Sequence, residues 1–318
     1  MLAQGHIEAA VRLVSEEARG TGTLDQPQAQ RVARAVLSTE AKSSDDEAAR
    51  TEACLELSAT APAPCLAGLK QLAESRGNPA LKLRVAFAAG STKPSPAWID
   101  EVTGHLTPRE WVSVADAVRS LPPPVAVPLL KRALLAGNAD VQFAALTTLA
   151  SLNDPLALPT LQAWSTRTSS PAHFVALAGA AGLGDPKALA AIRADLADIE
   201  GADAVLAGTA LVRQKDAKGL ELLRSVQSAG TNDMIRLEAV AALAATGDTL
   251  AARQLQEAVG SPNPGMKLRA IELVRQARLP ADSAICRQMA DPTSLIRVRA
   301  AQAILATTAN AERQPANR

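Results

Sequence analysis

The feature that most constrains this chain is an internal repeat. AALTTLASLNDPLALPTLQAWSTR at 144–167 is followed 31 positions later by VALAGAAGLGDPKALAAIRADLAD at 175–198, with Asp154-Pro155 and Asp185-Pro186 in register. Each copy is an apolar segment of small residues, an Asp-Pro turn and a second apolar segment. Asp216 follows 31 after Asp185, Asp248 follows 32 after that, and Leu279-Pro280 takes the corresponding place in the last copy. Going backward, Pro123, Thr92 and Ala61 fall at successive steps of 31, in turns rich in Pro, Ser and Thr. A period in the 20–50 residue range marks a stack of supersecondary units, whose size is set by the number of repeats.

Composition says what the units are made of. Hydrophobic residues are 47 % of the chain and aromatics only 2 %, with no Tyr. A core of Ala, Leu and Val suits close helix–helix contact better than a sheet. Within the copy at Asp185, residues Leu189, Ile192, Arg193 and Leu196 make a helical stripe. Asp185 is a good N-cap and Pro186 a good first helical residue.

The pattern predicts a helix at 3–19, then helix pairs at 27–39 and 45–59, 62–75 and 79–90, 95–104 and 108–120, and 124–136 and 139–151. Further pairs are expected at 155–166 and 171–182, 186–197 and 202–213, 216–228 and 232–246, 248–259 and 265–278, and 281–290 and 294–307. That makes nine pairs and one N-terminal capping helix, a single stack over 1–307, with a polar, disordered tail at 308–318.

The second helices align in columns. One contains Leu81, Val112, Phe143, Phe174, Val205, Leu237, Leu268 and Val298; another contains Phe87, Val118, Leu149, Ala180, Leu211, Leu243, Val274 and Ile304. Between them runs a small column that includes Thr148, Gly179 and Ala210. Apolar columns let each unit bury its face on the next, and the small one sets a short distance between helices.

The final second helix reads Ile296-Arg297-Val298-Arg299-Ala300-Ala301-Gln302-Ala303-Ile304, and Asp291 stands six before Arg297. This V-R-x-x-A-A-x-A-[LI] pattern resembles short bacterial HEAT repeats of the bilin-lyase-like type. The resemblance implies an all-α, right-handed α-solenoid of stacked antiparallel helix pairs, a HEAT-like superhelix. It also implies an Asp–Arg ladder between repeats and a first helix kinked at an internal Pro, a role that Pro128 and Pro159 fit. Elsewhere the Arg column reads Ala80, Trp111, Gln142, His173, Ala204, Arg236 and Lys267, so Asp and Arg occur together only in the last unit.

Residues for catalysis are few. His6, His105 and His173 have no second His or Cys at ligand spacing, and no phosphate-binding loop occurs. Gly179-x-x-Gly182-x-Gly184 reverses the dinucleotide fingerprint and reads as tight packing followed by a helix C-cap. Asp195, Asp198, Glu200 and Asp203 crowd one turn but lack the alternation of a calcium loop. Ser44-Asp45-Asp46-Glu47 reads as a capping box. No metal, cofactor or catalytic residue is expected, and the protein is expected not to be an enzyme.

Net charge is +1, but residues 1–60 carry −4 and residues 231–318 carry +3. Arg236, Lys267, Arg269, Arg297 and Arg299 recur on the last second helices. Either Arg236, Lys267 and Arg297 serve the structural ladder while Arg269 and Arg299 are solvated, or all five form a basic strip for an acidic or extended protein segment. Trp111, in the same column, is a candidate exposed anchor for a partner, whereas Trp164 reads as core. Cys54, Cys65 and Cys286 make an odd number with no close pair, which reads as three reduced core thiols. The start lacks a basic leader region, and no window approaches eighteen uninterrupted apolar residues.

The expectation is a cytoplasmic, bacterial scaffold or adaptor that binds a protein partner on the concave face of its solenoid, with no membrane contact. The alternatives are a bilin lyase or isomerase-like enzyme, suggested by repeat type, and a HEAT-like nucleic-acid-binding protein, against which the near-neutral charge and scarce aromatics argue.

Overall fold

The computed structural model describes residues 4–21, 24–60, 64–88, 94–229, 232–277 and 279–311, and among them every regular element is helical. In chain order these are α1 (Gln4–Thr21), α2 (Gln26–Ser43), α3 (Glu47–Thr60), α4 (Leu66–Ser75), α5 (Pro79–Ala88), α6 (Pro96–Thr103) and α7 (Pro108–Ala117). Next come α8 (Pro123–Leu134), α9 (Ala139–Leu152), α10 (Leu158–Ser165), α11 (His173–Gly182), α12 (Pro186–Ala194) and α13 (Gly201–Arg213). The last are α14 (Ala217–Ala229), α15 (Asp233–Ala244), α16 (Thr249–Val259), α17 (Pro264–Gln276), α18 (Ser283–Gln288) and α19 (Ser294–Ala311). Short 3-10 turns occupy Val118–Ser120 and Pro155–Ala157.

The repeated turn has a physical logic that the Asp alone does not reveal. Asn153, Gly184, Lys215 and Gly247 all take positive φ, of 49°, 89°, 59° and 91°, immediately before Asp154, Asp185, Asp216 and Asp248. That left-handed residue ends one helix, and at the last three turns the following Asp N–H reaches back to the carbonyls of Ala180, Leu211 and Leu243. The Asp side chain then starts the next segment: Asp185 accepts from the Ala188 N–H, and Asp216 from that of Lys218.

The second carboxylate oxygen of these Asp residues binds the preceding repeat. Asp185 Oδ2 accepts from Gln162 Nε2 at 2.5 Å, and Asp216 Oδ2 from Arg193 Nε at 2.8 Å. One side chain thus caps a helix and struts it to its neighbour.

Several expectations are corrected in detail. Pro128 lies inside α8 as foreseen, but Pro159 falls in the first turn of α10, because a 3-10 turn takes the preceding residues. Asp46 caps α3 by accepting from the N–H groups of Ala48 and Ala49, while the Ser44 hydroxyl is buried without a partner. The capping box instead occurs at Thr107 and Glu110. α19 continues to Ala311, beyond the expected end at 307, and 312–318 lie outside the described residues. The expected turn position at Ala61 and that at Thr92 also lie outside them.

Where one run over 1–307 was expected, packing divides the chain into two compact units, 67–230 and the combination of 1–66 with 231–318. In the mid-chain unit α5 packs on α7, α7 on α9, α9 on α11, and α11 on α13. Val118, Leu149, Ala180 and Leu211, 31 apart, are all fully buried there. Small residues permit the approach: a Cβ added to Gly179 would come within 2.8 Å of the Ala150 Cβ, and one on Gly219 of α14 within 2.7 Å of the Gly208 carbonyl on α13.

The end unit is assembled from both ends of the sequence. α15 packs on α17 and α17 on α19, and α19 then packs on α2; alongside, α16 meets α18 and α18 meets α1. α3 lies against α2 and α19. The expectation that the first helix caps a free end is therefore corrected, because α1 and α2 stack as the next pair beyond α18 and α19. Leu37, Leu243, Leu255 and Ile271 are among the fully buried side chains of this unit.

Cys54 and Cys65 form a disulfide with a Cα–Cα distance of 5.9 Å, across a separation of 11 residues. This overturns their reading as reduced core thiols. The fold brings together two residues whose sequence spacing suggested no bond. Cys286 is the free, buried cysteine among the three, and burial pushes its thiol pKa up. No described helix is long and apolar enough to cross a membrane.

Candidate binding surface

The five cations of the expected basic strip are each held by a carboxylate. Arg236 pairs with Asp233 one helical turn away at 2.5 Å. On α17, Lys267 Nζ donates to Asp291 Oδ2 at 2.5 Å, and Arg269 Nε to Glu238 of α15 at 2.6 Å. On α19, Arg297 Nε donates to Glu40 Oε1 at 2.6 Å and Arg299 to Glu52 at 3.2 Å. These residues therefore present an internally balanced lattice, and the strip is corrected as a source of net positive field.

The lattice bears on the ladder expected at Asp291 and Arg297. The two do meet, but Arg297 donates to the Asp291 backbone carbonyl at 2.7 Å, leaving the carboxylate to Lys267 and to the Thr293 N–H. The run Lys267–Asp291–Arg297–Glu40 thus continues the repeat interaction into α2. Sequence reasoning missed Glu40 and Glu52. Their signal was the negative charge of residues 1–60 facing a positive 231–318.

Beside this run α3 adds a second ionic cluster. Burial pushes the Glu56 carboxyl up, against the pull of Arg275 and Arg299 and with the help of Glu52. Glu272 also loses hydration, but hydrogen bonds from Arg275 and Gln276 outweigh that and hold its carboxyl below the ordinary range. Glu272 in turn raises the Arg275 pKa.

Trp111 is only 6 % exposed, packed in the mid-chain core beside Val114 and Ala115, so its expected role as a surface anchor is corrected. Its place in the Arg column suggested exposure, but a large apolar side chain at a helix start turns down onto its neighbours. Trp164 is core, as read, with the Arg167 guanidinium 4.2 Å from its ring centroid. His173 has a buried Nδ1 without a partner, and no group of three His, Cys, Asp or Glu that could hold a metal occurs among the described residues. Asp203 sits in the first turn of α13, where burial raises its pKa.

Exposure along the column that contains Val112, Phe143 and Phe174 is uneven within both units. Val205, Leu237 and Val298 are buried, Val112, Phe174 and Leu268 are half-buried, and Phe143 is 49 % exposed. α7, α9 and α11 pack successively, so these side chains follow the row at the interhelical spacing, about 8–10 Å. The backbone beneath is firm: Val141, Ala145 and Leu146 of α9 are all fully buried. Sequence reasoning assigned this column to the core; Val205, Leu237 and Val298 are buried and Val112 and Phe174 pack partly buried against the mid-chain core, while Phe143 opens to solvent.

Comparison with known proteins adds no relative to this picture: no family model matches the chain, and no curated protein and no solved structure matches it.

Proposed function

We propose that the chain is a non-enzymatic interaction scaffold. In this reading its helix pairs form HEAT-like, right-handed α-solenoid stacks, and Val112, Phe143 and Phe174 dock a protein partner. The observation that carries the reading is Phe143, an aromatic side chain half open to solvent on a helix whose opposite face is fully buried. A rigid aromatic in register with two apolar neighbours is the form that interface anchors take. Helix pairs joined by capped turns, together with the sequence resemblance to HEAT repeats, support the solenoid. The pairing of Arg236, Lys267, Arg269, Arg297 and Arg299 favours a protein partner over nucleic acid, because their charge is already compensated.

The Cys54–Cys65 disulfide supports an oxidising compartment, against the cytoplasmic setting expected from the sequence.

A photo-crosslinking phenylalanine analogue at position 143 identifies the partner in native cells. The Phe143→Asp variant, with unchanged helical content, is expected to lose that same partner in a pull-down. Retention at wild-type yield overturns the reading.

A further inference from the structure

The end unit contains a small pocket that exists only because the two ends of the sequence meet. Its apolar lining is Ile7 of α1, Val36 of α2 and Met289, and its polar lining includes Glu8, Thr39, Glu40, Asp291 and Arg297. The cavity volume is about 40 Å³, room for one functional group and not for a whole metabolite.

Glu40 gives the pocket its chemistry. The residue is only 5 % exposed, and its Oε1 takes the Arg297 Nε–H while its Oε2 is buried and accepts no hydrogen bond. Arg297 directs its other donors elsewhere, to the carbonyls of Asp291 and Pro292 and to the Ser294 hydroxyl. A buried carboxylate oxygen without a donor is costly, so the pocket favours a ligand that brings N–H groups. The Asp291 carboxylate is neutralised by Lys267, so the Glu8 and Glu40 carboxylates stand against the one guanidinium of Arg297, and the remaining negative charge favours a cation. The acids are not grouped closely enough to hold a metal ion.

We propose that this pocket binds a primary alkylammonium group. Its three N–H donors match Glu40 Oε2, the Thr39 hydroxyl and the Glu8 carboxylate, and its first methylenes lie on Ile7, Val36 and Met289. The site is independent of the Phe143 stripe, and either reading stands if the other fails.

Met289 supplies the probe, as one of only four methionines in the chain. In full-length protein carrying ¹³C-methyl methionine, n-butylammonium chloride is expected to shift the Met289 methyl resonance saturably, with a Kd of order millimolar. Tetramethylammonium and potassium chloride at equal ionic strength should leave it in place. Glu40→Gln, which keeps an oxygen for Arg297, should weaken binding about ten-fold. Should that variant unfold, Glu8→Gln at the exposed rim should still weaken it about two-fold. An acetyl-lysine-amide probe bearing a free Nζ that binds more tightly than n-butylammonium identifies the source as a partner's lysine; weaker binding identifies a free amine. No saturable shift, an equal response to tetramethylammonium, or unchanged affinity in a folded Glu40→Gln protein overturns the proposal.

Discussion

Arg297 and Glu40 stand 257 positions apart and are joined by a 2.6 Å ion pair, with both side chains largely withdrawn from water. The pair ties the last described helix to the second and closes the end unit. Arg297→Ala leaves the Glu40 carboxylate buried without its cation and should cost about 3 kcal/mol in urea unfolding. A double-mutant cycle with Glu40→Ala should return a coupling well above that of an exposed pair such as Arg253–Glu257.

Lys215 holds the left-handed position that Gly184 and Gly247 fill in neighbouring repeats. A side chain with a Cβ is disfavoured there, so Lys215→Gly should stabilise the fold by about 0.5–1 kcal/mol, while Gly184→Ala should destabilise it by about 1 kcal/mol or more. Thermal midpoints of the two variants measure this opposition in sign.

Asp216 serves both as a cap and as the strut to Arg193. The hydrogen bond from Arg193, with that from the Lys218 N–H, holds its carboxyl below the usual aspartate range. A depressed folded pKa contributes stability that is present above the unfolded value and is lost as pH falls through the folded one. Stability measured from pH 6 down to about 3 should therefore fall more steeply for the wild type than for Asp216→Asn.

Glu56 has the opposite sign. Burial raises its pKa, so the charged form is a burden above the folded value and none below the unfolded one. Glu56→Gln should stabilise the protein at pH 7, and the gain should vanish on acidification below about pH 4. Urea midpoints at the two pH values provide the check.

The disulfide closes a loop spanning 11 residues of sequence separation. Removing it by the double change Cys54→Ala and Cys65→Ala should cost about 3 kcal/mol through the entropy of the unfolded chain. Alkylation of denatured protein should label one thiol without reductant and three with it, given three cysteines in the chain.

Much of the local structure was legible because each signal acts within a few residues. Asp before Pro fixed the helix start at Pro186, where Asp185 caps the helix. The column through Leu149 and Leu211 was readable as core because its period matches the stack. Neighbouring columns were less readable, since a 31-residue period says which residues align but not which alignment faces water. Phe143 therefore looked like Leu237. The meeting of α2 with α19 has no periodic signature, and only the opposite charges of the two ends hinted at it. The spacing of Ser44 and Glu47 matches a capping box, but the local turn places Asp46 at the helix start instead.

The composite end unit sets a timetable for biosynthesis. Val32, Val36 and Leu37 are synthesised early, yet the helix that covers α2 begins at Ser294. At about 5–20 residues per second the ribosome needs on the order of 15–50 s to reach it, while the mid-chain unit is completed in between. During that interval the leading helices display an apolar flank with no native cover, a natural client for a holding chaperone. A premature stop between Gly230 and Ser294 would strand them in that condition.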